Sequence, residues 1–272
     1  MRFNGWPELK EAFLSGDMPA TFILAPMAMA LREQGVAIKI VYLGHRDGSA
    51  LMVHKDSEIR NMRGLRGKRV AVPNRFSNQY LMINKALRDN GMTAGDIILL
   101  EMPPPDMPAA LYSGAVDAII SGEPFMGQTE LDGYGRVLYQ AKELWPNFIS
   151  CVLAVNDQFI RDHPDKVQEM VTGIAQSGLW MDQSMDHRMQ AAKAVAEGYY
   201  NQDPRLLRFV LSKPPDRVTY SKLRLARQDF ALIEELALEA GILNKPIPFE
   251  EYADPRFSEN TTGAGPYPWE GN

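Results

Sequence analysis

A single cysteine, Cys151, stands in 272 residues. One thiol can form neither an intramolecular disulfide nor a thiolate metal cluster. Histidine is nearly as scarce. The four, His45, His54, His163 and His187, never fall four apart on a predicted helix, so no helical zinc motif is visible. No apolar run approaches the roughly 18 residues that span a bilayer. There is no Lys/Arg run, and the formal net charge is -5. A chain without a basic stripe cannot neutralise a phosphate backbone, so nucleic acid is not an expected partner. The motifs of covalent and nucleotide chemistry are missing too: no G-x-S-x-G elbow, no P-loop, no G-x-G-x-x-G after a predicted strand. The first stretch, MRFNGWPELKEAFLSGD, has no apolar h-region and no cleavage site.

What is present is the composition of a globular chain, 45% hydrophobic and 23% charged, long enough for two lobes of roughly 100 to 150 residues each. Thr21 to Leu24 reads as a strand, followed by a helix with Pro26 in its first turn and Gly35 at its end. Ile38 to Leu43 and Ala50 to Val53 read as strands around an Asp47-Gly48 turn. Lys68 to Val72 is a strand; Ser77 is a good N-cap for a helix that ends at Gly91. A strand to Glu101, a short helix from Met107 to Tyr112, a strand from Val116 to Ile120, and the strands RVLYQ and ISCVLAV follow. Helices dominate from Pro164 to about Gly241, and the tail reads as coil. Strands alternating with helices predict an α/β architecture with mostly parallel sheets.

With catalytic motifs absent, the strand-to-helix junctions carry the functional signal, because ligands in open α/β sheets bind at the carboxyl ends of strands. Helix N-termini there also offer free N–H groups and the positive end of the dipole. The candidate ligand-binding residues are Pro26 and Met27 at the first junction and His45 and Arg46 in the loop of residues 44 to 48. Arg75, Ser77, Asn78 and Gln79 stand at the next junction, and Glu123 and Phe125 in the turn of SGAVDAIISGEPF. Any one of these alone is best read as an ordinary turn. Four polar or aromatic junctions without catalytic residues favour a binding protein. Cys151, inside an apolar run, reads as an inert small hydrophobe, and the 15 methionines read as core filler.

Three blocks, GKRVAVPNRFSNQYLMINKALRDNG, PPPDMPAALYSGAVDAIISGEPF and KELWPNFISCVLAVNDQFIRDHPDKV, resemble the nitrate/sulfonate/bicarbonate-type solute-binding proteins of ABC importers. That group is related to thiamine-pyrimidine-binding proteins. The resemblance runs from about Trp6 to about Tyr200. It implies the α/β type II periplasmic-binding fold, with residues 1–67 and 151–272 in one lobe and 68–150 in the other. The ligand would sit in the cleft, the lobes would close by a hinge, and the closed form would dock on a membrane permease served by an ATPase. The expected protein is an extracytoplasmic receptor, periplasmic or on the cell surface, touching the membrane only through the permease, with no cofactor and no catalysis. Family members begin with a further strand and helix before the position of Trp6, so the resemblance implies an N-terminus that is truncated along with any export signal. A ligand-sensing domain of a regulator is an alternative reading. A thiamine-pyrimidine-synthase-like enzyme is another, disfavoured because it would need more than one cysteine.

The resemblance places Glu123 at the cleft wall, facing the ligand; capping of backbone N–H groups at the next helix is the equally weighted alternative. Arg75, Ser77 and Asn78 suit a planar oxyanion. An ionised Glu123 in the cleft would repel one. The expected solute therefore carries an N–H or O–H donor, such as bicarbonate, an aminosulfonate or an amine-bearing heterocycle, and plain nitrate ranks lower.

Overall fold

The computed structural model of the chain describes residues 3, 5–196 and 202–261. Helix α1 (Trp6–Leu14) leads to β1 (Ala20–Ile23), α2 (Ala25–Glu33), β2 (Ile38–Asp47) and β3 (Ser49–His54). Then come β4 (Arg69–Val72), α3 (Asn78–Asp89), β5 (Ile98–Glu101), α4 (Met107–Tyr112), β6 (Ala118–Gly122), α5 (Phe125–Leu131), β7 (Gly135–Gln140) and α6 (Ala141–Leu144). The chain returns in β8 (Ile149–Asn156) and continues through α7 (Asp157–Asp162), α8 (Pro164–Gln183), α9 (Met185–Val195) and α10 (Pro204–Ser212). It closes with β9 (Val218–Thr219), α11 (Arg227–Glu239), α12 (Phe249–Tyr252) and α13 (Arg256–Glu259). The expected coil after Thr261 lies outside the described residues.

The strands form two sheets. One has four strands in the order β1-β8-β2-β9, the other five in the order β5-β4-β6-β3-β7. The alternation of strands and helices predicts mostly parallel pairing. Among the described residues only β4–β5 and β4–β6 are parallel. The other pairs are antiparallel; apart from β2–β9, they arise because the chain crosses between the sheets twice and each crossing delivers a strand that runs against its neighbours. β3 enters the second sheet between β6 and β7, and β8 returns to the first between β1 and β2.

This membership differs from the expected division. The sequence reading keeps residues up to 67 with the first lobe, yet β3 pairs within the five-stranded sheet, so the chain leaves the first sheet at Asp47 and Gly48. Both residues are left-handed, with φ of 59° and 68°. Glycine is needed at the second: a Cβ there would lie 2.9 Å from Val218 Cγ2. On the return, Ile149 and Ser150 already belong to β8 and the first sheet.

β3 buries both faces, which is why it reads as a continuous apolar run. Leu51 and Val53 join the main core, while Ala50 and Met52 join a smaller cluster with Ala71, Ile119, Met107, Leu111 and Met126. The main core is continuous across both sheets: Ile23, Ile40 and Val152 of the first share it with Leu51, Val70 and Leu81 of the second. Each such side chain contributes about 1.5–3 kcal/mol by leaving water. Helices α9 and α10 pack on one another, and α10 also rests on α5. The C-terminal helices thus reach back to the second sheet.

Candidate ligand-binding site

The candidate site grows from the carboxyl ends of β1 and β2 and the start of β8. A cavity of about 950 Å³ opens there between the four-stranded sheet and α8. The sheet supplies Phe22, Gly44, His45 and Cys151. Helix α8 supplies Met170, Gly173, Ile174, Ser177, Gly178 and Met181, a stripe at helical spacing. A core-facing stripe of this kind usually carries branched aliphatics. Here Gly173 and Ser177 leave the space open, and a Cβ on Gly173 would meet nothing within 4 Å, while Gly178 lets Tyr220 approach closely, since a Cβ there would lie 2.9 Å from Tyr220 Cβ. Lys166 and Glu169 stand exposed at the rim.

His45, Met181 and Tyr220 also line a second hollow of about 250 Å³, whose far wall holds Glu123 and Pro124. The two hollows meet at these shared residues and form one crevice from α8 to the end of β6. Tyr220 is fixed by its N–H, which donates to Asp182 Oδ2 at 2.9 Å, and its ring lies 6.3 Å from that of His45. His45 and Cys151 are direct partners in the β2–β8 ladder, so both side chains leave the same face. Burial holds the His45 imidazole below its ordinary value, and its Nδ1 has no hydrogen-bond partner among the described residues. Burial pushes the Cys151 thiol up to about 11, against a weaker pull from Ser150, so it is a neutral thiol at neutral pH.

The sheet crossing beside this crevice is rich in unsatisfied acceptors. Asn78 donates its Nδ2 to the Ile149 carbonyl at 2.5 Å, leaving Oδ1 without a partner. Gln79 donates to Ser49 Oγ at 3.1 Å, leaving Oε1 without one. Asp47 Oδ1 is a third. Buried polar atoms cost free energy unless paired, so this cluster calls for donors from water or from a ligand.

Glu123 caps the next helix, lines a hollow, and makes one contact that neither sequence alternative describes. Its Oε2 accepts from the N–H of Gly127 at 2.7 Å, which caps the start of α5. It lines the smaller hollow. Its Oε1 also receives the Arg217 guanidinium at 2.6 Å, and Arg217 reaches Glu130 Oε2 at 2.8 Å. Burial pushes the Glu123 carboxyl up, while Arg217 and the Gly127 N–H pull it back. Arg217 was not among the sequence candidates. An arginine after the KPPD turn carries no local signal of a partner 94 residues away.

The other candidates are placed as follows. Pro26 and Met27 are buried in α2, and Met27 lines only a hollow of about 130 Å³ with Asn74 and Phe76. Arg46 is not free for a ligand: it binds Asp229 at 2.7 Å and the carbonyls of Lys222 and Asn147. Arg75 is exposed, its N–H donating to Glu101, and lines none of the cavities described here. Ser77 is spent as the N-cap of α3: its Oγ accepts from the N–H of Tyr80 and donates to the Asn74 carbonyl. Phe125 packs on the small apolar cluster rather than into the crevice. Tyr220, Met181 and the small residues of α8 were missed. The signal was there, in the glycines and serine on an otherwise apolar helix face.

The sequence pattern of the NMT1-like family matches residues 1–196. The chain belongs to the NMT1-like family. Among relatives of this NMT1-like chain, the taurine-binding periplasmic protein of Escherichia coli K12 is 25% identical over 209 residues, 72% of this chain and 64% of that protein. The match thus spans just under two thirds of the relative's length. The ligand-binding component of an ABC-type import system from Staphylococcus aureus, solved with zinc bound, superposes with a TM-score of 0.86 at 24% identity, covering 97% of this chain and 88% of that one. The alkanesulfonate-binding protein SsuA from Xanthomonas axonopodis pv. citri, bound to MOPS, gives a TM-score of 0.77 at 21% identity over 93% and 86% of the two chains. The NMT1-like chain therefore has the two-sheet fold of ABC-importer binding components.

Proposed function

We propose that this chain is the extracytoplasmic solute receptor of an ABC importer, delivering a small organic solute with an apolar body and at least one N–H or O–H donor to a permease. The names of the relatives support the class. The solute reading is carried by one observation: the crevice is lined by methionine, isoleucine and aromatic side chains beside His45, and no unpaired buried cation faces it among the described residues. The three buried arginines are all committed, Arg46 to Asp229, Arg188 to Asp182, and Arg217 to Glu123 and Glu130. Among the described lining residues a bare oxyanion would find a cation only at the exposed rim, in Lys166 beside Glu169, and none in the buried part of the crevice. A donor-bearing heterocycle or amine would instead meet the unpaired His45 Nδ1 and fill apolar space. Binding rather than turnover fits the chemistry of the crevice, because Cys151 is held as a thiol and the thiol is a poor nucleophile.

Thermal melts of the full chain with an aminopyrimidine, taurine, bicarbonate and nitrate test this. A true ligand at a hundredfold excess over its Kd adds about 2.7 kcal/mol of stability. The expected result is a rise with a donor-bearing solute that His45→Ala abolishes. A rise with nitrate alone, abolished by the same substitution, would overturn the solute reading.

A further inference from the structure

A separate cavity of about 770 Å³ lies on the other side of the 220–223 segment, against β2, α11 and the last described residue, Thr261. It shares Tyr220 and Leu223 with the crevice, so the two are neighbours across that segment, but His45, Cys151, Gly173 and Glu123 do not line it. Its lining is also richer in cations than that of the crevice. Lys222 and Arg224 both line it, both are exposed, and neither has a carboxylate partner among the described residues. The Lys222 carbonyl is pinned by Arg46 Nε at 2.8 Å, which fixes where the lysine leaves the chain. The one carboxylate in the lining, Asp229, is already held by Arg46, with Nη2 at 2.7 Å and Nη1 at 3.4 Å.

Two further donors converge. Helix α11 begins at Arg227, and no side chain caps its first N–H groups; Ala226 and Gln228 line the cavity at that end. Tyr42 forms part of the wall. It is 4% exposed, yet its hydroxyl has no hydrogen-bond partner among the described residues. The ring is buried, whereas the hydroxyl oxygen is not one of the fully buried unpaired atoms, so it opens toward the cavity it lines. The hydroxyl is close enough to Arg224 for the guanidinium to draw its pKa down, against burial that pushes it up to about 12. It therefore stays protonated and is available to donate.

We propose that this cavity is a second ligand site, selective for a single oxyanion group such as a carboxylate, sulfonate or sulfate, held by Lys222, Arg224, the Tyr42 hydroxyl and the start of α11. It does not depend on the identity of the solute in the crevice. Sulfate is the probe, titrated by calorimetry into the full chain with chloride in constant excess to suppress non-specific attraction. The variants are Lys222→Ala with Arg224→Ala, Tyr42→Phe, and His45→Ala as the control in the other cavity. The expected result is an affinity at least about tenfold weaker in the double variant, since hydrogen bonds to charged groups are stronger than neutral ones. Tyr42→Phe should weaken it several-fold, and His45→Ala should leave it unchanged. Should the alanine pair melt early, Lys222→Gln with Arg224→Gln removes the charges and keeps the stems. No saturable sulfate binding, binding that the charge-deleted variants retain at full strength, or binding lost on His45→Ala would each overturn the proposal.

Discussion

Arg217 is the residue on which the junction between the two halves most depends. Its side chain is 1% exposed and faces two carboxylates, Glu123 and Glu130, with a further bond from Nε to the Lys213 carbonyl. Removing one member of a buried ion pair leaves its partner charged in a poor solvent. Arg217→Ala is therefore expected to cost about 3–5 kcal/mol, read as a shift in the urea midpoint. Glu130→Gln, whose target is one-third exposed, should cost much less.

His45 sets a pH dependence whose sign follows from burial. Its folded pKa is depressed, so as pH falls below the ordinary histidine value of about 6.5, the unfolded chain takes up a proton that the folded chain refuses. Stability present above that pH is then lost as pH falls toward the folded pKa. Melting temperatures from pH 8 to 5 should fall more steeply for the wild type than for His45→Gln. Parallel curves would show that the imidazole is not desolvated in solution.

At the level of elements, local signals were legible and long-range ones were not. Pro26 in the first turn of α2 and Ser77 as the cap of α3 stand where propensity and capping place them. The apolar run after Asp117 did form a strand, and it extends through Ser121 and Gly122 to deliver Glu123 at its end. What the residues could not reveal was pairing direction. An apolar run such as β8 looks the same whichever way its neighbours point, and its place between β1 and β2 depends on where the chain returns from the other sheet. For the same reason His45 could be picked from its junction while Cys151, its ladder partner, could not.

The contact of α10 on α5 gives a sharp element-scale test. A Cβ on Gly127 would lie 2.3 Å from Val210 Cγ1 and 2.9 Å from Glu123 Oε2. Gly127→Ala would gain helix propensity of up to about 1 kcal/mol elsewhere. Here overpacking should win, with a net loss of about 1–3 kcal/mol in the urea midpoint. A gain in stability would mean that α10 does not rest on α5 in solution.

For the molecule as a whole, the resemblance in three sequence blocks foretold the fold, and the family match and superpositions agree with it. The site was less legible, because its shape comes from what α8 leaves out and its polarity from side chains far apart in sequence. The central claim is that a donor-bearing solute occupies the crevice between α8 and the His45 edge of the sheet. The direct measurement is calorimetric titration of an aminopyrimidine and of nitrate into the full chain and into Gly173→Phe, whose ring would project into open space and fill the cavity without disturbing the core. The account predicts that the aminopyrimidine binds, that nitrate does not compete with it, and that Gly173→Phe weakens binding by about tenfold or more, at least 1.4 kcal/mol, with its melting temperature intact. Aminopyrimidine binding of equal strength in Gly173→Phe, or its displacement by nitrate, would contradict it.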